Sequence, residues 1–157
     1  MNSEVKSPPL LEKFNVLVVG NNPIELSRVF DNLNKIEGKN VITEIAFDLK
    51  SIVERLIKFQ PQYILIDDNI GRPALKSMVS ALLKGRKTKD IPITVLKNSN
   101  YHEAISTGVL NYVLKANLSG DSLYTELNNS LKFKKTQLYL LNAYKKRKRQ
   151  LFRLIAD

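Results

Sequence analysis

The chain has 157 residues, of which 43% are apolar and 25% charged, a composition typical of one globular domain with modest extensions. It contains no cysteine, which excludes disulfides, thiolate metal sites and cysteine nucleophiles. No apolar run approaches the roughly 18 residues that a membrane-spanning helix needs, and the N-terminus lacks the apolar core of a secretory signal. We therefore expect a cytoplasmic protein in which residues 1–13 form a flexible leader.

The positive charge of the chain is concentrated near its C-terminus. The formal net charge is +10, and residues 128–157 contribute +8 of it, because nine basic residues there stand against the single acid Asp157. A nearly neutral body thus carries a basic tail. Its densest part consists of five consecutive basic residues, Lys145, Lys146, Arg147, Lys148 and Arg149.

The first half of the chain alternates apolar runs with helical patterns. The apolar run 15–19 predicts a strand buried on both faces, and apolar residues at helical spacing predict a helix over 23–38, with Pro23 in its first turn. Residues 41–46 predict a second strand, and the helix after it ends before Pro61. The run 63–66 predicts a third buried strand, which ends at Asp67 and Asp68.

The second half continues the same alternation. Apolar residues over 75–83 predict a third helix, and 91–96 predict a fourth strand, with a proline near its start. A short helix over 102–107, a fifth strand over 109–114 and a long helix from Ser119 or Asp121 complete the prediction.

Strands and helices that alternate with short connections predict a parallel sheet with helices on both faces. With right-handed crossovers, we predict an α/β, doubly wound, flavodoxin-like domain of five parallel strands in the order 2-1-3-4-5, followed by an extended basic C-terminal helix. Functional sites of such sheets lie at the carboxyl ends of the strands. This rule places four segments together along the carboxyl ends of the strands, an edge that we call the rim. They are 20–23, 67–70, 97–99 and Lys115.

These rim segments resemble the receiver domain of bacterial two-component response regulators. The stretch 16–23 resembles the receiver opening, in which an acidic cluster precedes a proline, and 61–67 resembles the third strand, which puts Asp67 at the phosphoacceptor position. The stretch 90–96 resembles the fourth strand. The stretch 108–115 resembles the fifth, which puts Tyr112 at the position of the switch aromatic and Lys115 at that of the invariant lysine.

The resemblance covers about residues 14–132, which we predict to be a receiver-like domain, whereas 133–157 form a basic helical extension. It implies a non-enzymatic role in signal transduction, in which the domain acts by contact with protein partners. Because no helix-turn-helix pattern follows and the chain ends soon after, we expect a stand-alone module.

The chain departs from the family at the residues that carry the chemistry. Family members have acidic residues at the positions of Gly20 and Asn21, which hold Mg²⁺ together with the phosphoacceptor, and Mg²⁺ prefers anionic oxygen ligands. Asn21 or Asn22 could supply only a neutral oxygen, so the acidic pocket is degenerate. Lys97 replaces the hydroxyl residue that binds the phosphoryl group.

These departures predict an atypical receiver, or pseudo-receiver, without catalytic residues, metal site or resident cofactor, whose affinity for Mg²⁺ is severely weakened. Lys97 and Lys115 are predicted to act as pocket cations that hold Asp67 ionised by attraction and fill the space of a phosphoryl group. The alternative is a phosphorelay receiver in which Asp67 is phosphorylated.

The basic tail allows several interpretations. It could contact a protein partner with an acidic surface, nucleic-acid phosphates or an anionic membrane face without stable insertion, or it could be a solvated helical face; a homodimer is a further alternative. A heptad seam runs through Leu127, Leu131, Leu138, Leu141, Phe152 and Ile155. Three lysines, Lys134, Lys145 and Lys148, fall on this seam and argue against a continuous coiled coil. We therefore expect the helix to break or bend.

Overall fold

A computed structural model of the chain describes residues 13–38, 40–98 and 111–156. The five strands in these ranges form one parallel sheet with the order β2-β1-β3-β4-β5. This order confirms the predicted one. The strands are Lys13–Val19 (β1), Asn40–Ala46 (β2), Tyr63–Asp67 (β3), Ile93–Lys97 (β4) and Asn111–Leu114 (β5).

Helices cover both faces of the sheet, so the flavodoxin-like fold class is confirmed. The leader, the predicted helix over 102–107 and the first two residues of the predicted fifth strand lie outside the described residues. Four α-helices are described, Pro23–Asn34 (α1), Leu49–Lys58 (α2), Arg72–Lys84 (α3) and Gly120–Ala156 (α4), together with the 3₁₀ turns Asp68–Ile70 and Lys115–Asn117.

The core has two layers because successive residues of a strand point to opposite faces of the sheet. Leu17 and Val19 of β1 pack on one face with residues of α2 and α3, including Ile52 and Leu75. Their neighbours in β1 pack on the other face with α1 and the start of α4. The predicted buried strands are therefore the centre of the fold.

Helix α4 is continuous over 37 residues, a length of about 55 Å at 1.5 Å per residue. The predicted break is wrong, because α4 contains neither proline nor glycine after Gly120 and the five basic residues from Lys145 to Arg149 are exposed to solvent without interrupting the helix. Only its first turns pack on the sheet, where Leu123 and Leu127 are buried. Among the described helices, none combines the length and apolar character needed to cross a membrane.

A buried cluster of hydroxyl groups joins α4 to the sheet. The Tyr63 hydroxyl group of β3 forms a hydrogen bond with that of Thr94 in β4 and lies 3.5 Å from the Ser130 hydroxyl of α4. All three residues are buried. A buried polar group costs free energy unless it is hydrogen-bonded, so these three groups fix how α4 lies on the sheet.

We expect Tyr63→Phe to lower the free energy of unfolding by about 1 to 3 kcal/mol, because the Thr94 and Ser130 hydroxyl groups lose a buried partner. Urea unfolding followed by circular dichroism measures this loss. Tyr139→Phe in the exposed part of α4 is the matched control and should leave the midpoint unchanged. Equal effects of the two substitutions would contradict the role assigned to the hydroxyl cluster.

Candidate functional site

The candidate site lies at the carboxyl ends of β3 and β5, as the sequence predicts for this topology. Asp67 is the last residue of β3 and is 1% exposed. Lys115 follows β5 directly, and its Nζ atom lies 2.5 Å from Asp67 Oδ1 and 3.6 Å from Asp68 Oδ1. The structure thus brings together Asp67 and Lys115, the two residues that we predicted to lie at the phosphoacceptor and invariant-lysine positions.

A third carboxylate reaches Lys115 from α1. The Nζ atom of Lys115 lies 2.6 Å from Glu25 Oε2. The Asn22 side chain caps α1, because its Oδ1 accepts hydrogen bonds from the backbone amides of Ile24 and Glu25. This cap starts the helix at the rim and places Glu25 in its first turn, where a negative charge is favourable.

Asparagine side chains connect the rim segments around these charges. The Asn69 amide nitrogen donates to Glu25 Oε2, and Asn98 donates to Asn69 Oδ1. Asn21 donates with its amide nitrogen to the Asn69 carbonyl oxygen, 3.3 Å away. The Asn21 side chain therefore turns its amide nitrogen toward the rim. The side-chain oxygen of Asn22 already accepts hydrogen bonds from the backbone of α1.

The backbone at Gly20 is packed too closely to carry a side chain without rearrangement. A Cβ atom added to Gly20 would lie 2.7 Å from Cδ2 of Leu26 and 3.3 Å from Cβ of Asp67. Leu26 is 1% exposed, so it has little room to move. The space beside Gly20, the residue that we predicted to match an acidic position of receivers, is thus occupied by the Leu26 side chain of α1.

Lys97 lies at the end of β4, and its ammonium group is 5.1 Å from the ring centroid of Tyr112 in β5. This distance is within the range of a cation–π interaction. Tyr112 is half-buried and packs against the core layer formed with α2 and α3. The structure thus brings the predicted pocket cation and the predicted switch aromatic together, and the role of counter-cation for Lys97 stays a prediction.

Burial and the ion pairs act in opposite directions on the titrating groups. Burial raises the pKa of Asp67 and outweighs the opposing hydrogen bond from Lys115. Burial alone would lower the pKa of Lys115, but its hydrogen bonds and charge interactions with Asp67 and Glu25 outweigh burial and raise it. The hydrogen bond from Lys115 lowers the pKa of Glu25. Lys115 therefore stabilises the Asp67 anion, as expected, but its effect on the pKa of Asp67 is smaller than the effect of burial.

The Oδ2 oxygen of Asp67 has no hydrogen-bond partner among the described residues. This oxygen is also buried, which accounts for the strong effect of burial on this group. In the described ranges, no group of three or more His, Cys, Asp or Glu side chains is arranged to hold a metal ion.

The basic tail is exposed on α4. All five residues from Lys145 to Arg149 are exposed, and Lys148 Nζ lies 6.0 Å from the ring centroid of Phe152. Exposed apolar side chains lie on either side of them in the sequence, including Tyr144, Leu151 and Phe152. The tail therefore presents both cations and apolar groups to solvent.

Sequence reasoning assigned no role to Glu25, Asn69 or Asn98. Asn69 and Asn98 fall within the predicted rim, and their position directly after β3 and β4 was the available signal. Glu25 could have been found from the capping residue Asn22, which places the following turn of α1 beside the rim.

Comparisons with solved structures find the same fold in receiver domains. The receiver domain of a sensor histidine kinase from Pseudomonas aeruginosa, which has a magnesium ion in its active-site cleft, matches with a TM-score of 0.65 and 15% identity over 76% of this chain and 98% of its own. A response regulator described as putative, from Chloroflexus aurantiacus, matches with a TM-score of 0.66 and 16% identity over 76% of this chain and 98% of its own. The chemotaxis response regulator CheY4 of Vibrio cholerae matches with a TM-score of 0.59 and 20% identity over 75% of this chain and 98% of its own. No protein-family model and no curated protein matches the sequence.

We expect Glu25→Gln to lower the free energy of unfolding by about 1 kcal/mol at pH 7, because Lys115 loses a charged partner at a partly exposed site. The pKa of Glu25 is lowered from 4.5 in the folded state, so its contribution is present above pH 4.5 and is lost as the pH falls below this value. Urea unfolding of both proteins between pH 7 and pH 3.5 measures the difference.

The exposed Glu54 provides a control for this experiment. Glu54→Gln should change stability by less than about 0.5 kcal/mol. A deficit of Glu25→Gln that stays constant down to pH 3.5 would show that the Glu25 charge does not stabilise the site.

Proposed function

We propose that this chain is an atypical receiver-like module that acts in signal transduction by contact with a protein partner, without Mg²⁺-dependent phosphorylation of Asp67. The observation that carries the proposal is the ion-pair cluster around Lys115, which contacts Glu25 at 2.6 Å as well as Asp67 at 2.5 Å and lies in a pocket where Gly20 and Asn21 offer no acidic side chain. Each step of phosphorylation at Asp67 would require this cluster to open.

The first support is the accessibility of the carboxylate. A nucleophilic carboxylate must approach an anionic phosphodonor, and this repulsion has to be neutralised. Asp67 is 1% exposed and paired with Lys115, so a donor has no path to its oxygens unless the pair separates. Burial also disfavours the nucleophilic anion of Asp67, and the raised pKa of this carboxyl group reflects that cost.

The second support is the chemistry of the available metal ligands. Mg²⁺ needs several hard oxygen ligands in octahedral geometry. Gly20 has no side chain, Asn21 donates a hydrogen bond toward the rim, and the oxygen of Asn22 is occupied by the helix backbone. The carboxylates of Asp67, Glu25 and Asp68 surround an ammonium group instead. These residues do not fit the magnesium site that receivers carry.

The third support concerns the surface around β4 and β5. Lys97 and Tyr112 form a cation–π contact across these strands, and Lys115 connects β5 to β3 and α1. Fixed contacts of this kind hold one conformation of the β4–β5 end without a phosphoryl group. We propose this end of the sheet as the surface that a partner contacts. The exposed part of α4, which we expected from the sequence to extend this surface, instead leaves the sheet at the opposite end of the strands, beside Gln62 and Pro92.

The test is a titration with beryllofluoride or acetyl phosphate in the presence of Mg²⁺, followed by amide NMR spectra. We expect no resonance shifts at β3, β4 or β5 in the wild type, and the same spectra in Asp67→Asn. Asp68→Asn serves as the matched control for binding to the neighbouring carboxylate. Shifts that require Mg²⁺, occur in the wild type and in Asp68→Asn, and vanish in Asp67→Asn would instead establish a phosphorylatable receiver.

A further inference from the structure

The outer face of α4 carries a row of exposed apolar side chains that the body of the protein does not cover. Phe133, Leu140, Tyr144, Leu151 and Leu154 are between 47% and 77% exposed. The buried residues of α4 lie in its first turns, with Leu127 at 3% and Ser130 at 4% exposure. The row therefore begins where packing on the sheet ends.

The spacing of this row follows a heptad pattern. Together with Gln137 and Arg147, its members alternate in steps of four and three residues from Phe133 to Leu154, the spacing of a coiled-coil seam. We call these seven residues the outer seam. It differs from the seam predicted from the sequence, whose first members Leu127 and Leu131 pack against the body and whose later positions include three lysines.

We propose that a second copy of this chain covers the outer seam in an antiparallel two-stranded coiled coil. In the register with its two-fold axis at Asn142, Phe133 faces Leu151 of the second copy and Leu140 faces Tyr144. Between Phe133 and Leu151 the polar contacts of the seam pair Gln137 with Arg147, so the Gln137 carbonyl oxygen can accept from the guanidinium group. Leu154 lies beyond this paired stretch, because its partner position is Ser130, which is 4% exposed and packs on the sheet. Every contact occurs twice, as two-fold symmetry requires.

The polar residues of the seam select the antiparallel orientation. A parallel pair would place Arg147 against Arg147 of the second copy, which brings two like charges together inside the seam. The antiparallel register separates these guanidinium groups and gives each a neutral partner. A buried polar position of this kind is known to specify the register of coiled coils.

The apolar area reaches the size of a specific interface. The four apolar seam residues from Phe133 to Leu151 and the flanking Leu141 each expose about half or more of their surface. If each buries on the order of 100 Å², one helix contributes about 500 Å² and the pair about 1,000 Å² in total, which is the size that a specific interface has to reach.

The basic residues lie mainly beside or behind this seam, as shown by their heptad positions. Lys145, Lys146 and Arg149 occupy positions on the outside of the coiled coil, where repulsion between two copies is screened by salt. Added salt should therefore strengthen the dimer, the opposite of its effect on binding to nucleic acid. The proposal is independent of the chemistry at Asp67.

The first experiment compares two substitutions of the same type with nearly equal exposure. Leu140→Glu alters the outer seam, whereas Leu138→Glu lies on the opposite side of α4; the two leucines are 59% and 57% exposed. Sedimentation equilibrium of the full chain in 0.5 M NaCl should show a dimer for the wild type and for Leu138→Glu. Leu140→Glu should raise the dissociation constant about 100-fold or more because it buries a carboxylate in the seam.

Circular dichroism confirms that both variants keep their helical content. A wild type that is monomeric at 100 µM would overturn the proposal, as would equal weakening by both substitutions. A monomer that instead binds nucleic acid, polyglutamate or anionic vesicles would also overturn it.

The second experiment determines the orientation and uses the absence of native cysteine. A short bifunctional maleimide should join Leu141→Cys chains, because position 141 lies beside the two-fold axis. It should not join Leu151→Cys chains, whose cysteines are separated by about 27 Å along the helix. The reverse result would establish a parallel pair and overturn the antiparallel proposal.

Discussion

The ammonium group of Lys115 neutralises a part of the molecule in which carboxylates from different elements come together. It reaches Asp67 at the end of β3 and Glu25 in the first turn of α1, so one side chain connects three elements that are distant in the sequence. Without it, these carboxylates and Asp68 would face one another in a largely buried space, where like charges are costly. The resistance we propose for Asp67 toward phosphodonors depends on this one cation.

The fold and part of the site could be predicted because both follow from short-range patterns. Fully apolar runs identified the strands, and the carboxyl-end rule for parallel sheets placed Asp67 and Lys115 on one rim. The role of Glu25 depends on where the first turn of α1 begins, which the Asn22 cap determines. The orientation of Lys97 toward Tyr112 depends on side-chain rotamers that no sequence pattern specifies.

Helix α4 shows how a correct pattern led to a wrong conclusion. The lysines on the predicted seam do argue against a coiled coil through that seam, but they do not disrupt a helix, because lysine is a good helix former. The absence of proline and glycine after Gly120 was the better guide to continuity. Once the first turns of α4 are seen to pack on the sheet, Leu127 and Leu131 are no longer available for the predicted seam, whereas the apolar residues of the outer seam are exposed from Phe133 onward.

The close packing at Gly20 couples this position to Leu26. The first carbon atom of any side chain at position 20 would lie 2.7 Å from Leu26 Cδ2 and 3.3 Å from Asp67 Cβ. The buried Leu26 side chain would have to shift, or a smaller residue at position 26 would have to make room and leave a cavity in the core when position 20 is still glycine. The effects of substitutions at the two positions on stability should therefore not be additive.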